Sequence, residues 1–278
     1  MKKFFITMLA IIGVFGFAAC GDNAQGTADI AAGIAAMDAE SPVGGDALIM
    51  GTSADFPPFE FIAEGGQGRH GQYDGIDVAI AVRIAERLGR ELVIQDAPFD
   101  SLLLSLTAGS IDFVASAMTI TEERQQSVAF SVPYFEAMQY IIVRADNEND
   151  VQGVDDLNFL IVGVQLGTTG DMFATNNLYN EPIRYQRVSE AIMALRAGQL
   201  DALIIDSALA LMFAGDSATD LTIVRDDAAF EGEYYGIATR HEDTELMATI
   251  NEVINEMTAN GEIDALFAEF IGFADDYE

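Results

Sequence analysis

Residues 106–124 read LTAGSIDFVASAMTITEER, and the first part of this stretch recurs at residues 195–205 as LRAGQLDALII. Each copy has the pattern of a helix end, a glycine that stops the helix, an aspartate and an apolar strand. The segments LIMG at 48–51 and LIVG at 160–163 form a second matching pair. Two βαβ lobes with similar connections explain the repeat better than one continuous sheet, with chance similarity of generic βαβ sequence as the alternative.

Strands and helices alternate around the first copy. Apolar residues at helical spacing predict a helix over residues 77–88 that ends at Gly89, and a strand follows at 91–94. A second helix is predicted at 101–106. This alternation is typical of an α/β fold in which parallel βαβ units form each lobe.

The predicted strand ends indicate where a ligand would bind. In open α/β sheets the binding crevice lies beyond the carboxyl ends of the strands. The residues at those ends are 53–56 and 116–119 in the first lobe, and 165–171 and Asp206 in the second. These positions are the candidates for the site.

Several of these residues suit a ligand that carries both charges. Arg124 follows Thr121, a predicted helix cap, and an arginine in a crevice can bind a carboxylate through two parallel hydrogen bonds. The loop 167–171 could bind an anion through its backbone N–H groups. Asp206 could bind an ammonium group. The alternatives are a surface ion pair for the arginine, a capped turn for the loop and a helix N-cap for the aspartate.

Residues that would indicate catalysis or a metal site are sparse. The two histidines, His70 and His241, fall in separate loop-like segments, and the single cysteine lies near the N-terminus. A Cys–His pair or a His/Cys metal site cannot be assembled from them. We therefore expect no catalytic residue, no metal and no cofactor.

The N-terminus has the pattern of a lipoprotein signal peptide. Lys2 and Lys3 precede an apolar run at 4–17, and small residues lead to Cys20. We predict a signal peptide at 1–20, lipidation of Cys20 and a flexible tether at 21–46, and hence a protein anchored to the membrane outside the cytoplasm. The alternative is an ordinary secretory peptide that is cleaved nearby.

The charge of the chain argues against one class of partner. The sequence has 45 acidic and 13 basic residues, for a net charge of −32. Nucleic-acid binding depends on basic side chains that neutralise phosphates. We expect no nucleic-acid partner.

The chain resembles a known family, the polar-amino-acid solute-binding proteins of bacterial ABC importers, also called family 3. The resemblance covers about residues 47–272. It rests on motifs that occur in the family's order, namely GTSADFPPFEF (51–61), GIDV (75–78), FVASAMTITEER (113–124), FSVPY (130–134), VQLGTTG (164–170) and YGIA (235–238).

The resemblance implies a periplasmic-binding-protein fold, with two βαβ lobes joined by two chain crossings. The first lobe would comprise residues 47–138 and 236–278, and the second residues 139–235. The function implied is capture of a free L-amino acid between two closing lobes and its delivery to an ABC permease in the membrane. We expect a monomer.

The resemblance also implies roles for individual residues. The family's arginine at the position of Arg124 binds the ligand's α-carboxylate, assisted by the positions of Thr119 and Thr169. The position of Asp206 binds the α-ammonium group together with the backbone carbonyl at Ala117, where glycine is common in the family.

Other positions would surround the ligand's side chain. Phe56 and Phe99 would flank it, and the remaining candidate ligand-binding residues are Ser53, Ser116, Gln165 and Thr168. Members that prefer cationic or glutamine side chains often have aspartate at the place of Ser53. No lysine or arginine matches a family position near this part of the pocket, so we predict a neutral polar or cationic amino acid rather than an acidic one.

Two other functions were considered. A few relatives on this fold dehydrate prephenate-like acids, as a cyclohexadienyl or arogenate dehydratase does, but no acid or base for that chemistry stands out in the sequence. A ligand sensor that acts in trans on a signalling partner is the other alternative.

Overall fold

The computed structural model describes residues 47–147, 151–215 and 220–271. The predicted signal peptide, Cys20 and the tether lie outside these residues. Within the described part of the chain, no helix is long and apolar enough to span a membrane.

The order of strands and helices follows the predicted alternation. The strands are β1 Ala47–Thr52, β2 Asp55–Phe56, β3 Glu60–Ile62, β4 Tyr73–Asp74, β5 Glu91–Asp96, β6 Phe113–Val114, β7 Ala129–Phe130, β8 Phe135–Ala137, β9 Gln139–Arg144, β10 Val162–Gln165, β11 Ile183–Tyr185, β12 Ala202–Asp206, β13 Leu221–Val224, β14 Glu233–Tyr235 and β15 Ala238–Thr239. The α-helices are α1 Ile76–Leu88, α2 Leu102–Thr107, α3 Glu122–Gln125, α4 Thr169–Asn177, α5 Val188–Arg196, α6 Ser207–Ala214, α7 Thr244–Ala259 and α8 Glu262–Ile271.

Glycine ends the first two helices where the sequence predicts. Gly89 follows α1 with a φ of 63°, and its N–H donates to helix carbonyls at Ala85 and Glu86. Gly109 follows α2 with a φ of 76°. Left-handed backbone of this kind favours glycine, because the residue has no Cβ. Both helix ends are confirmed.

The strands form two five-stranded sheets of similar order. The first sheet has the order β5-β1-β6-β15-β7, and the second has the order β11-β10-β12-β9-β13. In each sheet the first three strands are parallel to one another. We call the two sheets with their helices the first lobe and the second lobe.

One strand in each sheet runs against its neighbours, which the predicted parallel units do not include. In the first lobe it is β15, and in the second lobe it is β9. Each of these strands follows directly after the chain has passed from one lobe to the other. The chain enters each lobe from the side at which the parallel strands end, so the entering strand must run in the opposite direction.

The two passages between the lobes lie side by side. They contain β8 and β14, which pair antiparallel in a two-stranded sheet. Phe59 packs edge-on against Phe135 of β8 and Tyr235 of β14, with ring centroids 4.9 and 5.1 Å apart. Phe59 and Tyr235 are fully buried, so apolar packing fixes this connection to the first lobe.

Candidate functional site

A cavity lies between the carboxyl ends of the parallel strands of the two lobes. It has about 310 Å³ of atom-free space, part of which opens to solvent. All of the predicted ligand-binding residues line it, and so does Glu60, which was not predicted. The lining residues are Ser53, Phe56, Glu60, Phe99, Ser116, Ala117, Thr119, Arg124, Gln165, Thr168, Thr169 and Asp206. The structure thus brings together the eleven residues that were predicted to bind the ligand.

Strand ends place four of these residues. Ser53 follows β1, and Ser116 follows β6 after one residue. Gln165 and Asp206 are the last residues of β10 and β12. The parallel strands therefore deliver four polar side chains to one space, as the general rule for α/β crevices predicts.

Arg124 is buried at the start of a short helix. Thr121 caps this helix by accepting a hydrogen bond from the Arg124 N–H at 3.2 Å. The guanidinium donates to the carbonyl oxygens of Thr119 at 2.7 Å and Gly167 at 3.0 Å, and it lies 5.3 Å from the ring centroid of Phe99. A guanidinium has five N–H groups, so donors remain for a ligand.

The surface ion pair considered for Arg124 is not formed. The residue is 6% exposed, and no carboxylate of the described residues forms an ion pair with it. Burial lowers the pKa of Arg124, and the negative charges of Glu233 and Asp206 oppose that shift. A buried cation with spare donors is suited to bind an anion.

Asp206 is a buried carboxylate at the end of β12. It precedes α6, but its side chain makes no capping hydrogen bond, so the N-cap alternative is not realised. Its Oδ1 instead accepts a hydrogen bond from Nε2 of Gln139 at 2.9 Å. Burial raises the pKa of Asp206 to about 7, and the neighbouring carboxylate of Glu233 adds to this effect. A cation brought next to Asp206 would reverse the shift.

The loop 167–171 uses part of its hydrogen-bonding capacity internally. The Gly167 N–H donates to Oδ2 of Asp171, and the Asp171 N–H donates to Oγ1 of Thr168. Thr168 is thus the N-cap of α4, as the capped-turn alternative proposed. These two N–H groups are taken by the loop itself, which reduces the anion-binding capacity that the sequence suggested.

Glu60 adds a second carboxyl group to the cavity wall. It is 1% exposed, and its Oε1 accepts a hydrogen bond from Oγ of Ser116 at 2.7 Å. Among the described residues, its Oε2 has no hydrogen-bond donor, and neither does Oδ1 of Asp77. Burial raises the pKa of Glu60 well above its usual range, and the negative charge of Asp77 raises it further. Burial and the charge of Asp77 thus both favour the protonated form of Glu60.

Ala117 has the backbone conformation of a glycine. Its φ is 43°, and its N–H donates to Oδ2 of Asp77 at 2.8 Å. A non-glycine residue in the left-handed region costs about 1 kcal/mol. This backbone conformation is a physical reason why glycine is common at this position in the family that the sequence resembles.

Comparison with known proteins identifies the family. The family described as bacterial extracellular solute-binding proteins, family 3, matches residues 48–273. The chain belongs to this family.

Individual members are similar over most of their length. The arginine-binding extracellular protein ArtP of Bacillus subtilis is 32% identical, and the match covers 96% of each chain. The L-cystine-binding protein TcyJ of Escherichia coli is 31% identical over 81% of this chain and 82% of its own. The arginine-bound form of a truncated ArgBP from T. maritima is 43% identical, with a TM-score of 0.70, over 76% of this chain and 96% of that one.

These findings confirm three predictions. The chain is a family 3 solute-binding protein, its fold is the periplasmic-binding-protein fold, and its relatives are binding proteins rather than enzymes. An extracytoplasmic location agrees with the family description. The roles of the individual site residues and the residue limits of the lobes stay predictions.

A cation that was not predicted from the sequence, Arg187, lies near the cavity of this solute-binding protein. Nη1 of Arg187, in the second lobe, lies 3.2 Å from Oγ of Ser53 and 2.7 Å from Oδ1 of Asp96 in the first lobe. Asp55 lies 3.8 Å from the same nitrogen and also accepts a hydrogen bond from the Ser189 hydroxyl at 2.9 Å. Two carboxylates of the first lobe thus neutralise Arg187, and these contacts hold the lobes together at the rim of the cavity.

Proposed function

We propose that this protein is the extracytoplasmic substrate-binding subunit of an ABC importer and that its ligand is an L-amino acid with a cationic side chain. The observation that carries the proposal is the set of charges in the cavity wall. In the described residues these are the guanidinium of Arg124 and the carboxyl groups of Asp206 and Glu60.

The charges match the groups of a cationic amino acid. Arg124 would bind the α-carboxylate at the positions of Thr119 and Thr169, and Asp206 would bind the α-ammonium group. Glu60 is then left without a counter-charge. A guanidinium or ammonium group on the ligand's side chain would supply it and would oppose the upward shift of the Glu60 pKa.

Two further observations support this ligand class. Phe56 and Phe99 are both buried in the cavity wall, where an aromatic face can pack against an aliphatic chain or a planar guanidinium. The arginine-binding relatives from Bacillus subtilis and T. maritima are similar over most of their length. A neutral polar amino acid could use the protonated Glu60 as a hydrogen-bond donor, but it would gain no charge pair there.

A titration of amino acids against the full chain tests the proposal. Isothermal titration calorimetry at pH 8 should give the tightest binding for L-arginine or L-lysine, weaker binding for L-glutamine and the weakest for L-glutamate. An acidic side chain would place a second carboxylate beside Glu60 without a cation to offset it. Tightest binding of L-glutamate would contradict the proposal.

We further propose that Cys20 carries a lipid that tethers the protein to the membrane beside its permease. Metabolic labelling with palmitate should mark the wild-type protein, which should fractionate with membranes. Cys20→Ala should remain unlabelled, because it removes the chain's single thiol. As a control, Ser41→Ala in the predicted tether should label like the wild type. Label retained by Cys20→Ala would exclude this site.

The delivery step completes the proposal. The ligand would be released to the permease when the lobes separate about the paired strands β8 and β14, which are the two passages of the chain between them. The protein would act as a monomer in this cycle.

A further inference from the structure

Glu233 lies on β14, at the connection between the lobes, and it does not line the cavity. Its Oε2 accepts hydrogen bonds from Oγ1 of Thr169 at 2.8 Å and from Oγ1 of Thr119 at 3.0 Å. Thr119 belongs to the first lobe and Thr169 to the second. One carboxylate oxygen therefore contacts both lobes at the back of the proposed ligand site.

A glutamine connects Glu233 to Asp206. Nε2 of Gln139 lies 2.9 Å from Oδ1 of Asp206, 3.2 Å from Oγ1 of Thr169 and 3.4 Å from Oε2 of Glu233. An amide nitrogen has two hydrogens, so one is donated to Asp206 and the other is shared between Thr169 and Glu233. Gln139 is 3% exposed, which leaves its amide little freedom to turn elsewhere.

We infer that Glu233 is a positioning residue for the recognition of the ligand's α-carboxylate and α-ammonium groups. It accepts the single hydroxyl hydrogens of Thr119 and Thr169, so their oxygen lone pairs remain free to accept from an ammonium group, and through Gln139 it holds the carboxylate of Asp206. Its negative charge also acts on Arg124 and Asp206. The inference rests on the proposed function, because it assigns these residues to the two α-groups.

The charge of Glu233 gives the inference a measurable consequence. Burial and then Glu233 raise the pKa of Asp206 to about 7, whereas the nearby hydroxyl of Tyr235, the hydrogen bond from Gln139 and the charge of Arg124 lower it. Glu60 is a further carboxyl group whose charge interacts with Asp206. Ammonium binding needs the ionised form of Asp206, so affinity should fall as the pH drops through about 7. Without the charge of Glu233, that fall should occur at lower pH.

Two variants distinguish the effect of the hydrogen bonds of Glu233 on ligand binding from the effect of its charge. Glu233→Gln keeps an acceptor oxygen for the three donors and removes the charge, whereas Glu233→Ala removes both. Glu231→Gln is the matched control, because it removes the same charge from an exposed residue of the same segment. The full chain and each variant are titrated with L-arginine by calorimetry between pH 5.5 and pH 8.5, a range of about 3 units around the pKa of Asp206.

We expect Glu233→Ala to bind L-arginine about 10- to 100-fold more weakly than wild type at pH 8, because charge-assisted hydrogen bonds of the site are lost. For Glu233→Gln, the midpoint of the pH dependence should move below that of the wild type. Glu60 and Asp77 titrate in both proteins, so their contribution cancels in this difference. A merely structural role for Glu233 would not move the midpoint.

The outcomes separate this inference from the proposed function. If wild type and Glu231→Gln bind L-arginine while Glu233→Ala binds within twofold of them, the inference is wrong and the proposed function stands. An unchanged midpoint in Glu233→Gln would overturn it equally. If Glu233→Ala does not fold, the isosteric Glu233→Gln still decides the question. Absence of L-arginine binding to the wild type would overturn both the inference and the proposed ligand.

Discussion

Arg124→Ala and Asp206→Ala should each abolish the rise in melting temperature that saturating L-arginine produces in the wild type. Each variant removes one partner of a desolvated, charge-assisted pair and leaves the ligand's opposite charge buried. Such a loss costs about 2–5 kcal/mol, or roughly 30- to 5,000-fold in affinity. The ligand-induced shift depends on affinity through mass action and can be followed by thermal unfolding at fixed ligand concentration.

The ligand-free variants should remain folded. The pKa of Asp206 is raised to about 7 in the folded protein, so its ionisation destabilises the fold as the pH rises from its usual value near 4 toward 7. Asp206→Ala should therefore melt at or above the wild-type temperature at pH 8 and gain nothing at pH 4. Arg124→Ala should melt near wild type, because its guanidinium donates only to two backbone carbonyls of the described chain.

Two further variants test the role of Arg124, one as a conservative substitution and one as a control. Arg124→Lys should also bind poorly, since a point charge cannot form two parallel hydrogen bonds with a carboxylate. Arg196→Ala removes a positive charge that pairs with Asp220 outside the cavity, and it should bind L-arginine like the wild type. If Arg124→Ala or Asp206→Ala binds L-arginine with wild-type affinity, the substituted residue does not bind the ligand. Unfolding of either variant would favour a structural role.

Glu60→Gln should abolish the preference for a cationic side chain while it preserves the binding of L-glutamine. The ionised form of Glu60 is unfavourable in the free protein, because burial and Asp77 both raise its pKa. A ligand cation would stabilise that form, and the amide of glutamine cannot replace the charge. We expect L-arginine to bind roughly 30-fold or more weakly. L-glutamine, whose side chain has no charge to pair with Glu60, should change by less than about threefold, a difference of under 0.7 kcal/mol.

Calorimetric titration of both amino acids at pH 8 measures this change in selectivity. Glu64→Gln is the matched control, because Glu64 is exposed and only four residues away. The variant should keep its hydrogen bond from Ser116, since the amide oxygen of glutamine accepts as the carboxylate does. Equal losses for L-arginine and L-glutamine would mean that Glu60 acts by holding Ser116 and not by binding the ligand's side chain.

The alternation of helices and parallel strands and the candidate residues at the strand ends could be predicted from the sequence alone. Helix periodicity, the stops at Gly89 and Gly109 and the repeated strand pattern depend on residues close together in the chain. The carboxyl ends of parallel strands meet at one edge of a sheet, so Asp206 at the end of β12 could be assigned to the cavity without coordinates. Arg124 required the additional information of a family motif.

The acidic residues that lie at or near the cavity, and the contacts between the lobes, could be identified from the tertiary structure but not from the sequence. The sequence has 45 aspartates and glutamates; Glu60 falls within the motif at 51–61, but neither its neighbours nor those of Glu233 show that these side chains lie at or near the cavity. Glu60 is buried on β3 beside Asp77, and the return of the chain brings Glu233 of β14 into contact with Thr119 of the first lobe and Thr169 of the second. The pairing of Arg187 with Asp96 likewise joins residues of different lobes. Burial and the approach of distant charges set these properties, and both depend on contacts that local sequence does not encode.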